Sequence, residues 1–382
     1  MRALHVSLVG AFAVASLARE AAARTLAGDI AHVPKRYVAR RGTPTAINGN
    51  VHKAEWERAP WSEPFVEIRG PDAPEGSGPT PAQATRMKML WDDDFLYVAA
   101  FIDFAGGDEI TANFTERNSP IYQLDSDFEV FLDPSGCCHG YKELELNAIN
   151  TVWNLQLTKP YGDGGRELSG RVAKPGEADF WDVQAQKTAA RVTKGALHRT
   201  GEPSQWVCEL ALSHRETQQD VPVPGATPAV GRSWRINFSR VEKRGAVNWV
   251  WSPQVVFDPV KHRYSGLVAM HLPDAWGYVV FADEDGRFED AREGDTWVDA
   301  EGPARRAASA AYYAAKQFES SQGRPPASAE ELEGLLRGAG LGDARLHVAV
   351  AQGGGWEITA TEGGYAATIS NDRLLRVAPV GA

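Results

Sequence analysis

In FEVFLD (128–133), Phe128, Val130 and Leu132 alternate with Glu129, Phe131 and Asp133, so a strand there is apolar on one side and carries carboxylates on the other. ELELNAIN (143–150) sets Leu144, Leu146 and Ala148 against Glu143, Glu145 and Asn147. WRINFSR (234–240) sets Trp234, Ile236 and Phe238 against Asn237 and Ser239. Placed in one sheet, Glu129, Glu145, Asn147, Asn237 and Ser239 form a polar floor facing away from the core. An antiparallel sheet with one face in water gives the same pattern without a ligand. Tyr122, Trp153, Trp249 and Trp251 supply aromatic rings nearby. Rings stack on apolar C–H faces while carboxylates and amides bond hydroxyls, a combination suited to sugars. Arg240 is a candidate bidentate donor, or else an ion-pair partner of Glu242. His271 is a candidate for the same pocket, or a structural histidine.

The stretch NWVWSPQ (248–254) places Trp249 and Trp251 on one strand face, roughly 6 to 7 Å apart, with Val250 on the other. The Ser252-Pro253 stop puts Trp251 near a strand end. The expectation is a buried Trp249 and a half-exposed Trp251 at a pocket rim.

The elements that must position these groups follow from the rest of the chain. At 382 residues it is long for one domain, the usual prior being about 100 to 200. A formal charge of −10 gives no broad footprint for a nucleic-acid backbone, so nucleic acid is excluded as the expected partner. Arg2, the apolar run Ala3 to Ala18 and the small residues ending at Ala23 read as a signal peptide over 1–23, and imply a secreted or periplasmic protein. The run is shorter than the roughly 20 residues of a membrane span, and no other segment could cross a bilayer. Cys137, Cys138 and Cys208 are too few for a disulfide framework; Cys208 reads as a core residue of a strand, and the SGCCHG run as a turn.

From about residue 85 to 281 short period-2 runs follow one another between Gly, Pro, Asp and Asn: RMKMLW, FLYVAAFI, FEVFLD, ELELNAI, VWNLQL, WVCELAL, WRINFSRVE, NWVWS and GYVVF. The pattern predicts an all-β, antiparallel β-sandwich of the immunoglobulin or jelly-roll kind over 33–285. Asp92 to Asp94 make a hairpin turn, and residues 37–84 supply a leading edge and a loose loop. A small α+β module is expected over 300–382. It comprises a helix in PARRAASAAYYAAKQFESS, a short helix capped by Ser328, and strands in RLHVAVA, WEITATE and GYAATIS.

Taken in order, INGNVHKAEWERAP, LWDDDFLYVAA, SPIYQLDSDFEVFLDP, YKELELNAINTVWNLQLTKPY, INFSRVE, NWVWSPQ and HLPDAWGYVVF resemble the family 9 carbohydrate-binding modules, and more closely the secreted family 9-like proteins. The resemblance covers about residues 44 to 281. It implies a non-catalytic β-sandwich that binds carbohydrate, in xylanase-borne members holding a chain end between two aromatic rings, with structural calcium. On the matching positions it implies Glu129 as an acceptor for sugar hydroxyls, Glu145 and Asn147 beside it, and Tyr122 near the first ring. Met270 and His271 stand before WGYVVF where the family has an aromatic. Asp125 and Asp127 in LDSD are the conceivable calcium ligands, although an acidic turn also stands without an ion. Two other functions compete. Paired carboxylates could hydrolyse a glycosidic bond, and Met87 or Met89 with His271 could hold a b-type haem. No GxSxG, HExxH or phosphate-binding loop is present.

Overall fold

The computed structural model describes residues 33–288, 297–352 and 354–381. The expected signal peptide lies outside the described residues.

Fifteen strands precede the long helix: β1 (Arg36–Arg41), β2 (Val66–Glu67), β3 (Thr85–Trp91), β4 (Phe95–Phe104), β5 (Asp127–Asp133), β6 (Tyr141–Asn147), β7 (Val152–Leu157), β8 (Glu167–Ser169), β9 (Lys187–Lys194), β10 (Ser204–Ser213), β11 (Ser233–Glu242), β12 (Val247–Val250), β13 (Val255–Asp258), β14 (Arg263–Gly266) and β15 (Gly277–Ala282). Thirteen of them form one sheet in the order β8-β7-β6-β5-β11-β15-β1-β3-β4-β10-β9, with β12 and β2 branching from β11. The branch arises because the first half of β11 pairs with β15 and its second half with β12. The sheet curls so that Phe128, Val130 and Phe238 share one core with Met87, Val98, Trp206 and Leu210 from the other half. That common filling makes the two halves the layers of a sandwich.

Two expectations need correction. The sheet is mixed, since β1 runs parallel to both β15 and β3. The leading segment is also no edge, because β1 sits between those strands and joins the two halves. The Asp92–Asp94 hairpin turn forms as read, Asp92 Oδ1 accepting from Asp94 N and Phe95 N at 3.0 and 2.9 Å. Cys208 is buried in the core and the two other cysteines lie in a buried turn, all three as free thiols.

Trp249 is buried as expected, but Trp251, expected to be half exposed, shares that fate. Both are buried in the common core, Trp251 at 2% exposure and Trp249 at 6%. The Trp251 indole meets Phe238 edge-on at 6.0 Å and lies so close to Gly277 that a Cβ there would stand 2.4 Å from the ring. Glycine at 277 is therefore what admits the indole. Trp251 is pulled inward by this closure of the sandwich, which no local sequence signal carries.

After β15 come α2 (Gly302–Gln322), the second α-helix among the described residues after the single-turn α1 (His214–Thr217), and strands β16 (Arg345–Val350), β17 (Trp356–Glu362), β18 (Tyr365–Ser370) and β19 (Leu375–Pro379). The four strands form an antiparallel meander whose apolar face packs against the alanine-rich face of α2. Leu375–Pro379 is a fourth strand that the sequence reading missed. The short helix expected after Ser328 shrinks to one 3-10 turn, Glu330–Leu332, with no side-chain cap. Arg373, in the turn before β19, enters the body of the protein. Its Nε donates to Asp163 at 2.8 Å and its Nη1 to Asp274 and the Tyr313 hydroxyl at 3.0 and 2.6 Å.

Candidate functional site

The outward faces of β5, β6, β7 and β11 carry the polar rows, and the register aligns them. Glu129 stands opposite Glu145 on β6 and Ser239 on β11, and Glu145 stands opposite Trp153 on β7. The carboxylates thus face away from the core, as alternation requires. They do not face open water, however. Every residue of β5, β6 and β7 is buried, because Ile68, Tyr122, Val250, Met270 and Trp276 pack over this outer face. What remains is a cavity of about 360 Å³ lined by Tyr122, Glu129, Glu143, Glu145, Trp153, Tyr161, Arg171, Met270 and His271, among others. Its size falls in the small-molecule range of roughly 300 to 1,000 Å³.

Of the residues singled out from the sequence, Tyr122, Glu129, Glu145, Trp153 and His271 meet at this cavity. Four do not. Asn147 donates from Nδ2 to Asp125 and to the Phe114 carbonyl at 2.7 and 2.9 Å, so its amide is spent on holding a loop. Arg240 lies on the inner face with Phe238, ion-paired to Glu242 at 2.9 Å and bonded across the sandwich to the carbonyl of Asp103. The blander of its two readings is the right one. Trp251 is core, and Trp249 lies with Arg240 along a different cleft at the end of the sandwich, its ring covered by that guanidinium. Asn237 is likewise occupied, bonding the backbone of Ser252.

Trp153 is mostly covered too. Tyr122 stacks on it at 5.6 Å and the Arg171 guanidinium sits 4.8 Å from its ring centre, itself paired with Glu167. The ring with an open face is Tyr161, 47% exposed at the cavity rim and edge-on to His271 at 4.7 Å. The sequence reading did not single it out, since it lies in a loop without periodicity. Glu143 was legible by parity with Glu145 but was not chosen.

Charge in the cavity is set by burial. Glu129 is pushed up to about 7, an effect that the facing Ser239 hydroxyl moderates. Burial and then the neighbouring Glu129 hold Glu143 and Glu145 well above the usual carboxylate range. Burial lowers His271 to about 4, so the ring is neutral at pH 7; its Nδ1 lies 3.0 Å from the Tyr141 hydroxyl. The haem pairing fails on geometry, because Met87 and Met89 are fully buried in the inner core while His271 belongs to the outer cavity.

The Asp125–Asp127 pair does not fit a cation. Both Asp125 oxygens already accept hydrogen bonds, from Asn113, Phe114 and Asn147. Asp127 instead gathers with Glu129 and Glu145, their carboxylate oxygens all within 4.8 Å of one another.

No protein-family model matches the chain, and no curated protein matches it. Solved structures do. A proposed carbohydrate-binding protein from Bacteroides uniformis ATCC 8492 aligns with 65% of this chain and 99% of its own, at TM-score 0.43 and 12% identity. A family 9 carbohydrate-binding module from Caldicellulosiruptor kristjanssonii aligns in its cellotriose complex with 69% of this chain and all of its own, at TM-score 0.37 and 15% identity. Its glucose complex covers 68% and all of its own chain, at TM-score 0.37 and 16% identity.

Proposed function

We propose that this protein is a secreted or periplasmic, non-catalytic binder of carbohydrate, and that the outer cavity of the sandwich is its site. The observation that carries the reading is the convergence of Glu129, Glu143 and Glu145 on the floor of one cavity whose rim bears the exposed ring of Tyr161. Carboxyl groups accept the hydrogen bonds that sugar hydroxyls donate and, held protonated by burial, also donate to them, while a rim tyrosine offers an apolar face for a pyranose ring. His271, neutral and bonded to Tyr141, holds that rim in place. Stacking falls to Tyr122 and Tyr161 in place of the core tryptophans.

The full chain should bind on a glycan array, and titration of the best glycan should show Glu129→Gln weakening it at least tenfold, about 1.4 kcal/mol. Unchanged affinity removes Glu129 from the site. Release of reducing ends from the same glycans would replace the binder by a hydrolase, for which Glu129 and Glu145 would be the pair to test.

A further inference from the structure

The loop between β14 and β15 walls two cavities. It gives Met270 and His271 to the outer one, and Pro273 and Asp274 to a second of about 280 Å³, where the sandwich meets the start of α2. Val255, Val256, Phe257, Tyr264 and Leu375 make the second cavity largely apolar. Its ionised groups do not balance: among the described residues Arg36, Arg235, Arg305 and Arg306 line it against only Asp274 and Asp299. Both carboxylates are spent. Asp274 accepts from Arg373 and the Tyr313 hydroxyl, and Asp299 from Glu301 N and the Tyr278 hydroxyl. Of the arginines, Arg305 pairs with Glu301, and Arg36 donates to the Trp297 carbonyl.

A second observation is the state of Arg235. It stands on β11 between the inward Trp234 and Ile236, so its side chain leaves from the outer face, yet the residue is only 8% exposed. Its guanidinium lies over Tyr278, 4.2 Å from the ring centre, and Nη2 donates to the Asp274 carbonyl at 2.7 Å. Nε is buried without a hydrogen-bond partner. Asp133 faces Arg235 in register, but its oxygens accept from the Ser135 hydroxyl and Cys138 N instead. Among the described residues neither Arg235 nor Arg306 pairs with a carboxylate. A buried guanidinium without an anion is costly. The fold nonetheless makes room for it: Gly136, at a φ of 60°, has the Arg235 Cγ and the Arg305 guanidinium so close that a Cβ would stand 3.3 and 3.2 Å from them.

We propose that this second cavity binds a small organic carboxylate with an apolar body, its head paired by Arg235 and its body laid against Phe257, Tyr264 and Leu375. A planar guanidinium meets a carboxylate through two parallel hydrogen bonds, and the ligand's charge offsets the one the fold leaves unpaired. Arg306 adds positive potential from the start of α2, where its guanidinium lies against Gly302 and the helix has no side-chain cap. The volume is just under the roughly 300 to 1,000 Å³ of drug-sized sites, so the ligand is a small one. The site shares no lining residue with the outer cavity and does not depend on the carbohydrate reading.

The test uses the full chain without glycan, titrated by calorimetry with sodium octanoate below its micelle concentration, with octanol and octylamine as controls. Octanoate should bind at one site and raise the melting temperature. Octanol keeps the body and loses the charge, so it should bind at least tenfold more weakly, and octylamine should not bind. Arg235→Gln should weaken octanoate at least tenfold, and Arg235→Lys by less, because lysine keeps the charge and loses the planar fork. Ser309→Phe keeps the test decisive if Arg235→Gln folds poorly. Ser309 is half-buried on the part of α2 that lines the cavity, so a ring there should fill the space and abolish octanoate binding at an unchanged melting temperature. Absence of octanoate binding by the wild type overturns the site. Binding of octanol or octylamine as tight as that of octanoate overturns it too, as does undiminished octanoate binding by Ser309→Phe.

Discussion

Two buried clusters of carboxylates lie near the outer cavity, and they are solved in opposite ways. Around Arg373, Asp163 and Asp274 are almost sealed from water, yet each meets the guanidinium, and the hydroxyls of Tyr312 and Tyr313 complete the network. Around Glu129 the carboxyl groups crowd one another, and among the described residues none of them meets a lysine or arginine. A buried charge that is paired and fully bonded is structural material, because its desolvation is repaid within the fold. Buried carboxyls left without a cation avoid that cost by holding protons instead. The first cluster also serves the second: Asp163 follows Tyr161 in one loop, and Asp274 follows His271 in another, so Arg373 fixes two segments that wall the cavity.

Arg373→Ala is the harshest way to break this comparison. It strands two buried carboxylates and should cost about 3–5 kcal/mol in denaturant unfolding. A loss below about 1 kcal/mol would show the network to be slack. Next comes the response to pH. Burial carries Glu129 from an ordinary 4.5 to about 7, so between these values the folded state holds a proton that the unfolded chain has released. Stability conferred by this group therefore falls as pH rises through the window, by roughly 3 kcal/mol in all, and levels off above it. Melting curves from pH 4.5 to 8 should show that decline, and Glu129→Gln should flatten it.

A sharper comparison pairs like with like. Asp163→Asn should destabilise by about 1–3 kcal/mol through its lost charge-assisted bonds, whereas Asp127→Asn should leave the protein as stable as before or more so. The same sign for both would dissolve the distinction between the clusters. The smallest stability effect belongs to Tyr161→Ala. At an exposed rim it should change stability by less than about 0.5 kcal/mol while weakening glycan binding several-fold in the same titration.

Much of the sandwich was legible because alternation is a local signal: it placed Glu129 and Glu145 on one face and Phe128 and Leu144 on the other. Arg240 shares its parity with the inward Phe238, yet its two readings from sequence are a donor in the outer pocket and a partner of Glu242, and the second of those is the one the structure shows. Burial of the outer face was not legible. It depends on Met270, Trp276 and Tyr122 arriving from distant segments. Asn147 looked like a site residue by its type and direction, yet the acceptors that hold it come from Asp125 and Phe114, on a loop whose path no periodicity describes. The central place of β1 was hidden for the same reason. A parallel pairing leaves no mark on the six residues that make it.

That placement has a consequence in time. β1 leaves the ribosome among the first described residues, while its partner β15 comes some 240 residues later by the register of Arg36 with Tyr278. The strand that joins the halves of the sandwich must therefore wait unpaired on one side while nearly all the rest of the sheet is made. Closure of the sheet is set by its most distant pairing, the kind of contact that slows folding most. A nascent chain halted before Gly277 would carry both halves of the sandwich and lack the strand that joins them through β1.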